Sequence, residues 1–140
     1  IPFVAAPAQV LWREHQINAE WGYNRKEAKH HGEGGMLVGA DVNGKSVWVI
    51  DDVMTAGTAM REVITLLGKA GASVAGIIVA LDRKEKGQSD RSAIQELAES
   101  LQVPVLALVT MDDIIDYVAK HGSQDELTQM QAYRAEYGIN

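Results

Sequence analysis

An α/β fold, with a mainly parallel twisted sheet flanked by helices, is what these 140 residues predict, and three observations carry that prediction. Val47–Ile50, Val74–Leu81 and Val103–Val109 are almost unbroken apolar runs rich in β-branched residues, as expected of strands buried on both faces. Between them lie stretches whose apolar residues recur at helical spacing, and strand alternating with helix builds a parallel sheet covered on both sides. The length suffices for one hydrophobic core and is short for two, so residues 1–140 are expected to form a single domain.

The elements follow in order. Val4, Ala5, Ala8, Leu11 and Trp12 fit one face of a buried helix, and Asn18 to Asn24 reads as a short extended piece. NRKEAKHHGEGG, Asn24 to Gly35, is polar and ends in glycines, so a mobile loop is expected there. Met36–Ala40 and Ser46–Ile50 read as strands joined in a hairpin through Asn43-Gly44, a dipeptide that tolerates positive φ at both positions. Ala59, Met60, Val63, Ile64, Leu67 and Ala70 give a helical stripe closed by Gly71. After the strand Val74–Leu81, a helix carries Ala93, Ile94, Leu97 and Leu101 and stops before Pro104; the strand Val103–Val109 follows. Ile114, Ile115 and Val118 suit a short helix capped near Asp112 or Asp113, and Asp125–Tyr137 a final amphipathic helix ended by Gly138.

Composition excludes several classes of function. A formal charge of −6 and a pI near 5.1 leave no general basic surface for nucleic acid or an anionic membrane, so any anion must be bound locally. The absence of cysteine rules out disulfides, thiolate metal sites and a cysteine nucleophile, and fits the reducing cytoplasm. No apolar run approaches the roughly 18 residues of a spanning helix. The first ten residues are apolar, but they lack a basic leader and pass directly into Trp12-Arg13-Glu14-His15, unlike a signal peptide. Opening on Ile1-Pro2, the chain reads as though it begins inside a domain.

GADVNGKS, Gly39 to Ser46, matches the phosphate-loop pattern G-x-x-x-x-G-K-[ST]. Context rejects it. In a true phosphate loop the lysine and serine open a helix, whereas Val47-Trp48-Val49-Ile50 follow at once and read as strand. The stretch VWVIDDVMTAGTAMRE, Val47 to Glu62, is the stronger signal. At the carboxyl end of a parallel strand, where open α/β sheets bind ligands, Asp51 and Asp52 would face a crevice. Adjacent carboxylates there can accept hydrogen bonds from a vicinal diol or steady a hydrated Mg²⁺. Thr55-Ala56-Gly57-Thr58-Ala59 then supplies small side chains, hydroxyls and a flexible glycine where helix-start N–H groups are unpaired, which suits a phosphate monoester. Diol and phosphate a few ångströms apart describe a ribose 5-phosphate. Alone, a DD pair would simply end a strand, and Thr55 or Thr58 would simply cap a helix.

VWVIDDVMTAGTAMRE resembles the phosphoribosyl pyrophosphate (PRPP) signature of type I phosphoribosyltransferases. With NRKEAKHHGEGG and ALDRKEKG, and through to the terminal AYRAEYGIN, the chain is similar to the orotate phosphoribosyltransferase family over nearly its whole length. The resemblance implies a Rossmann-like type I core and transfer of ribose 5-phosphate from PRPP to orotate, giving orotidine 5′-monophosphate and pyrophosphate in pyrimidine biosynthesis. It implies that Asp51 and Asp52 hold the ribose hydroxyls, while Val53, Met54, Thr55, Ala56, Gly57, Thr58 and Ala59 form the PRPP loop. Thr55 and Arg83 would touch orotate. Arg25, Lys26, Lys29 and His31 would act with Asp51 and Asp52 as catalytic groups, supplying positive charge to the departing pyrophosphate, with Mg²⁺ bound mainly through PRPP and near Asp51 and Asp52. A homodimer is implied as well, in which the Arg25–Gly35 loop completes the neighbouring subunit's site.

Without the resemblance, Arg25, Lys26 and Lys29 would read as a solvated charge run, and Arg83 would pair with Asp82 or Glu85. Two departures stand out. His30 occupies a position where the family commonly has an acidic residue. The family's N-terminal hood, with its lysine and aromatic residues, and a Tyr-Lys pair before the Gly-Ile-Pro turn have no counterpart here, so the chain reads as a fragment of a longer protein, with a natural truncation that leaves the base site open as the alternative, and is expected to lose more affinity for orotate than for PRPP. Two rival readings are a phosphoribosyltransferase for another base and a non-catalytic PRPP-binding regulator. The Arg25, Lys26, Lys29 and His31 set weighs against the second, which needs no leaving-group catalysis.

Overall fold

A computed structural model describes residues 2–25, 35–54, 57–87 and 89–139. Its elements are α1 (Pro2–His15), β1 (Gly22–Asn24), β2 (Leu37–Gly39), β3 (Ser46–Met54), α2 (Thr58–Lys69), β4 (Ser73–Asp82), α3 (Ala93–Leu101), β5 (Val105–Thr110), α4 (Met111–His121) and α5 (Gln124–Tyr137). The apolar runs form a three-stranded parallel sheet in the order β3-β4-β5, and β1 and β2 form a separate antiparallel pair. The expected α/β class is what the chain adopts.

Pairing of β3 with β4 runs from Ser46 opposite Ser73 to Met54 opposite Asp82, with an irregularity between Val47 and Trp48 that passes over Ala75. Beyond it, Val49 and Asp51 lie opposite Ile77 and Val79, both fully buried. These residues face the helices: Met54, Met60, Ile77, Val79, Ala93 and Leu97 make one core cluster, with Ile64, Val105 and Ala107 packed against it. The other face is less covered than the apolar runs suggested. Trp48 and Leu106 are about half exposed and Leu108 is 71% exposed. Trp48 lies across Gly76, its partner in register, where a Cβ would overlap the indole ring.

Three local expectations change. Asn43-Gly44 does form a turn, with Lys45 N–H donating to the Val42 carbonyl at 3.0 Å and Gly44 at φ 71°, but no hairpin. It links two sheets, because β2 pairs with β1 whereas β3 pairs with β4. Around the turn, Gly44 N–H bonds to the Gly71 carbonyl and Ser73 N–H to the Lys45 carbonyl, both at 2.9 Å, so its backbone serves the start of β4. Helix α1 has no buried residue among its described side chains, and Phe3, Val10 and Trp12 are exposed. Helix α4 is capped by Thr110, not by Asp112 or Asp113. The Thr110 hydroxyl accepts the Asp113 N–H, and the Asp113 carboxylate accepts the Thr110 N–H at 2.8 Å. No described helix is long and apolar enough to cross a membrane.

Candidate active site

Strand β3 runs further than the sequence suggested. Asp51 and Asp52 lie within it, with Val53 opposite Leu81 and Met54 opposite Asp82 still to follow. The pleat sends successive side chains to opposite faces, so Asp51 shares the side of Val49 and Val53 and is half-buried, while Asp52 is exposed. Burial raises the Asp51 pKa above its ordinary 3.8; the N–H of Asp52, which donates to Asp51 Oδ1 at 3.0 Å, opposes the shift and the neighbouring Asp52 charge adds to it. Both carboxylates line a cleft of about 350 Å³ with Phe3, Tyr23, Asn24 and Leu37. The Met54 side chain is buried in the core, so this residue can offer a ligand only its backbone.

Gly57 precedes α2 with φ 74°, in the left-handed region that favours glycine. It also leaves the helix start open. Helices α3, α4 and α5 each begin with a capping box, at Ser92, Thr110 and Ser123. Helix α2 has no side-chain cap bond and no acidic residue in its first turn. Among the described residues, its leading N–H groups therefore have no side-chain acceptor, and with the positive end of the dipole they suit an anion. Thr58 and Ala59, both exposed, line a second cleft of about 740 Å³ with Arg25, Arg61 and Glu62. Asn24 and Val63 line both clefts. Arg25 and the start of α2, more than thirty positions apart in sequence, are thus brought to one place.

Arg83 follows the last residue of β4, and Asp82 pairs with Met54, so Arg83 leaves the sheet beside the start of the small-residue loop. Its Nη2 lies 2.5 Å from Glu85 Oε1, which is the pairing the residue alone predicts, and also donates to the Tyr133 hydroxyl. Lys26, Lys29, His31, Thr55 and Ala56 lie outside the described residues, as do positions 26–34 of the loop expected over Asn24 to Gly35; Asn24 itself ends β1. The Gly39–Ser46 stretch is no phosphate loop. Ser46 opens β3, and Lys45 pairs with Glu20. Asn24 lines both clefts and Tyr133 contacts Arg83 and Glu85, although neither was singled out as a site residue in the sequence; the terminal AYRAEYGIN carried Tyr133 with no role attached.

An open parallel sheet whose strand β3 carries adjacent carboxylates, followed by a helix start without a side-chain cap, places this chain in the ligand-binding class of open α/β domains. The chain belongs to the phosphoribosyl transferase domain family, whose model matches residues 8–105. Among its relatives, the orotate phosphoribosyltransferase of Acinetobacter baumannii (strain ACICU) is 60% identical over 99% of this chain and 64% of that protein. The crystal structure of orotate phosphoribosyltransferase from Francisella tularensis superposes with a TM-score of 0.80 at 37% identity, covering 98% of this chain and 65% of that one. Leishmania donovani UMP synthase gives a TM-score of 0.70 at 25% identity, over 97% of this chain and 28% of that one. The chain thus spans less than two thirds of the length of each of these proteins.

Proposed function

We propose that this chain carries the PRPP-binding core of an orotate phosphoribosyltransferase, a pentosyltransferase of pyrimidine biosynthesis. In the reaction the bond from the anomeric carbon of PRPP to pyrophosphate breaks, a bond from that carbon to the orotate ring nitrogen forms as that nitrogen gives up its proton, and pyrophosphate leaves. The observation that carries this reading is the sequence of β3, Asp51-Asp52, Gly57 and the uncapped start of α2, in a chain 60% identical to an orotate phosphoribosyltransferase. Asp51 and Asp52 accept the ribose hydroxyls, and the α2 start takes the 5′-phosphate. Arg25, Lys26, Lys29 and His31 stabilise charge on the departing pyrophosphate, and Thr55 and Arg83 hold the base. An arginine fork suits the orotate carboxylate because it can donate to both oxygens.

Mg²⁺ fits this donor set as an ion brought by the substrate. Two adjacent carboxylates can contribute one or two ligands or hold its water shell while pyrophosphate oxygens supply others, the usual arrangement for this cation. When bound it screens the leaving group. A cytoplasmic homodimer, in which the Arg25–Gly35 loop acts across the interface, belongs to the same proposal.

The test is the fall in orotate ultraviolet absorbance on adding PRPP and Mg²⁺, with adenine, hypoxanthine and uracil assayed in parallel. We expect orotate-dependent turnover that drops by roughly 10²–10³-fold in Lys29→Ala, the scale of losing one charge-stabilising group. Turnover only with another base would move the assignment to that base. PRPP binding without any turnover, in a folded full-length protein, would favour a regulator.

A further inference from the structure

The chain's last helix, α5, packs back against Arg83, and its tail is tied to the segment that follows this arginine. Lys86 N–H donates to the Tyr137 carbonyl and Ile139 N–H to the Lys84 carbonyl, both at 2.9 Å, and Glu85 bridges to Gly138 in antiparallel fashion. Side chains repeat the connection. Lys84 lies 2.7 Å from Asp112, which also pairs with Arg134 of α5. At the centre, the Tyr133 hydroxyl accepts from Arg83 Nη2 and donates to Glu85 Oε1, the same oxygen that faces that Nη2 at 2.5 Å. The Arg83 guanidinium also stands over the Tyr133 ring, 5.4 Å from its centroid, and Tyr137 packs on the other tyrosine at 4.9 Å.

We infer that Tyr133 is a positioning residue for Arg83, holding its guanidinium so that a carboxylate-bearing base can be bound. The inference rests on the proposed role of Arg83. A carboxylate of this chain, Glu85, sits where it can compete with a ligand for the same cation. Were Glu85 to take the guanidinium through two parallel bonds, the strongest geometry open to such a pair, Arg83 would be neutralised and turned from the ligand. The tyrosine prevents this. By donating to Glu85 Oε1 it occupies that oxygen, and by accepting from Nη2 while offering its ring face it fixes the plane of the guanidinium. The contacts Arg83 makes among the described residues use Nη2 and the ring-facing side, which leaves the Nη1 and Nε donors for the base.

Steady-state kinetics on the full-length protein tests this with Tyr133→Phe, which keeps the ring and removes the hydroxyl. The expected result is an orotate KM raised about tenfold, the scale of a hydrogen bond to a charged group, with the PRPP KM unchanged. Glu85→Gln added to Tyr133→Phe should bring the orotate KM most of the way back, a rescue that loss of packing would not show. The unfolding midpoint of each variant establishes that it is folded. An unmoved orotate KM, an equal rise in both KM values, or failure of the rescue would overturn the role of Tyr133 while leaving the proposed reaction intact. Absence of orotate turnover in the parent protein would instead overturn the reading of Arg83 and this inference with it.

Discussion

At the scale of single residues, Asp51 is where the proposed binding role and stability pull apart. Its folded-state pKa lies above the ordinary 3.8, mainly through burial, so the fold binds this proton more tightly than the unfolded chain does. Stability from this group is therefore greatest below pH 3.8 and is lost as pH rises through the raised pKa. Asp51→Asn should be slightly more stable than the parent at pH 7, with the difference vanishing below pH 3.8, and should lose PRPP binding. Denaturant midpoints at the two pH values and a calorimetric PRPP titration measure both effects. An asparagine variant less stable at pH 7 would mean that the contact with the Asp52 N–H outweighs burial. The Asp51-Asp52 pair was legible in the sequence because carboxylates ending an apolar run are conspicuous. The pairing of Tyr133 with Arg83 was not, because it joins positions 50 apart that only the fold brings together.

Among the secondary-structure elements, helix starts divide between those with a capping box and that of α2, which has no side-chain cap bond. The starts of α3, α4 and α5 satisfy their own N–H groups with a hydroxyl and an acidic or amide partner three residues on. Thr110→Ala should remove one such box and cost about 1 kcal/mol, read as a fall in the denaturant midpoint with no change in PRPP affinity. A change in affinity would mean that α4 shapes the site after all. The sequence placed α4 correctly but put its cap two or three residues late, because Asp112 and Asp113 are themselves good capping residues. Backbone geometry decides the matter: Thr110 keeps extended dihedrals while Asp113 takes the third helical position. The expected hairpin failed for a related reason. Asn43-Gly44 is local evidence for a turn and says nothing about which strands the turn separates.

For the molecule as a whole, the sheet is well covered on one face and open on the other. Strands read as buried on both sides because Val, Ile and Leu fill both sets of alternate positions, yet Trp48, Leu106 and Leu108 remain exposed among the described residues. Such a face favours association. Sedimentation velocity should show self-association of this chain that rises with concentration and weakens in Leu108→Lys, with stability changed by no more than about 0.5 kcal/mol because the position is exposed. Equal association by both proteins would place the contact elsewhere. The one-domain reading drew on length alone, and length says little about which faces a core will cover.

The pairing of Met54 with Asp82 also acts as a ruler. Neighbouring strands are held roughly 4.8 Å apart by their backbone hydrogen bonds, so the chain leaves β3 after Met54 and reaches Arg83 after Asp82 from starting points set by that interval. Side-chain substitution can retune either end, but the spacing between the two origins belongs to the peptide backbone. A ligand that touched both ends would then be measured by the residues that fill the remaining distance.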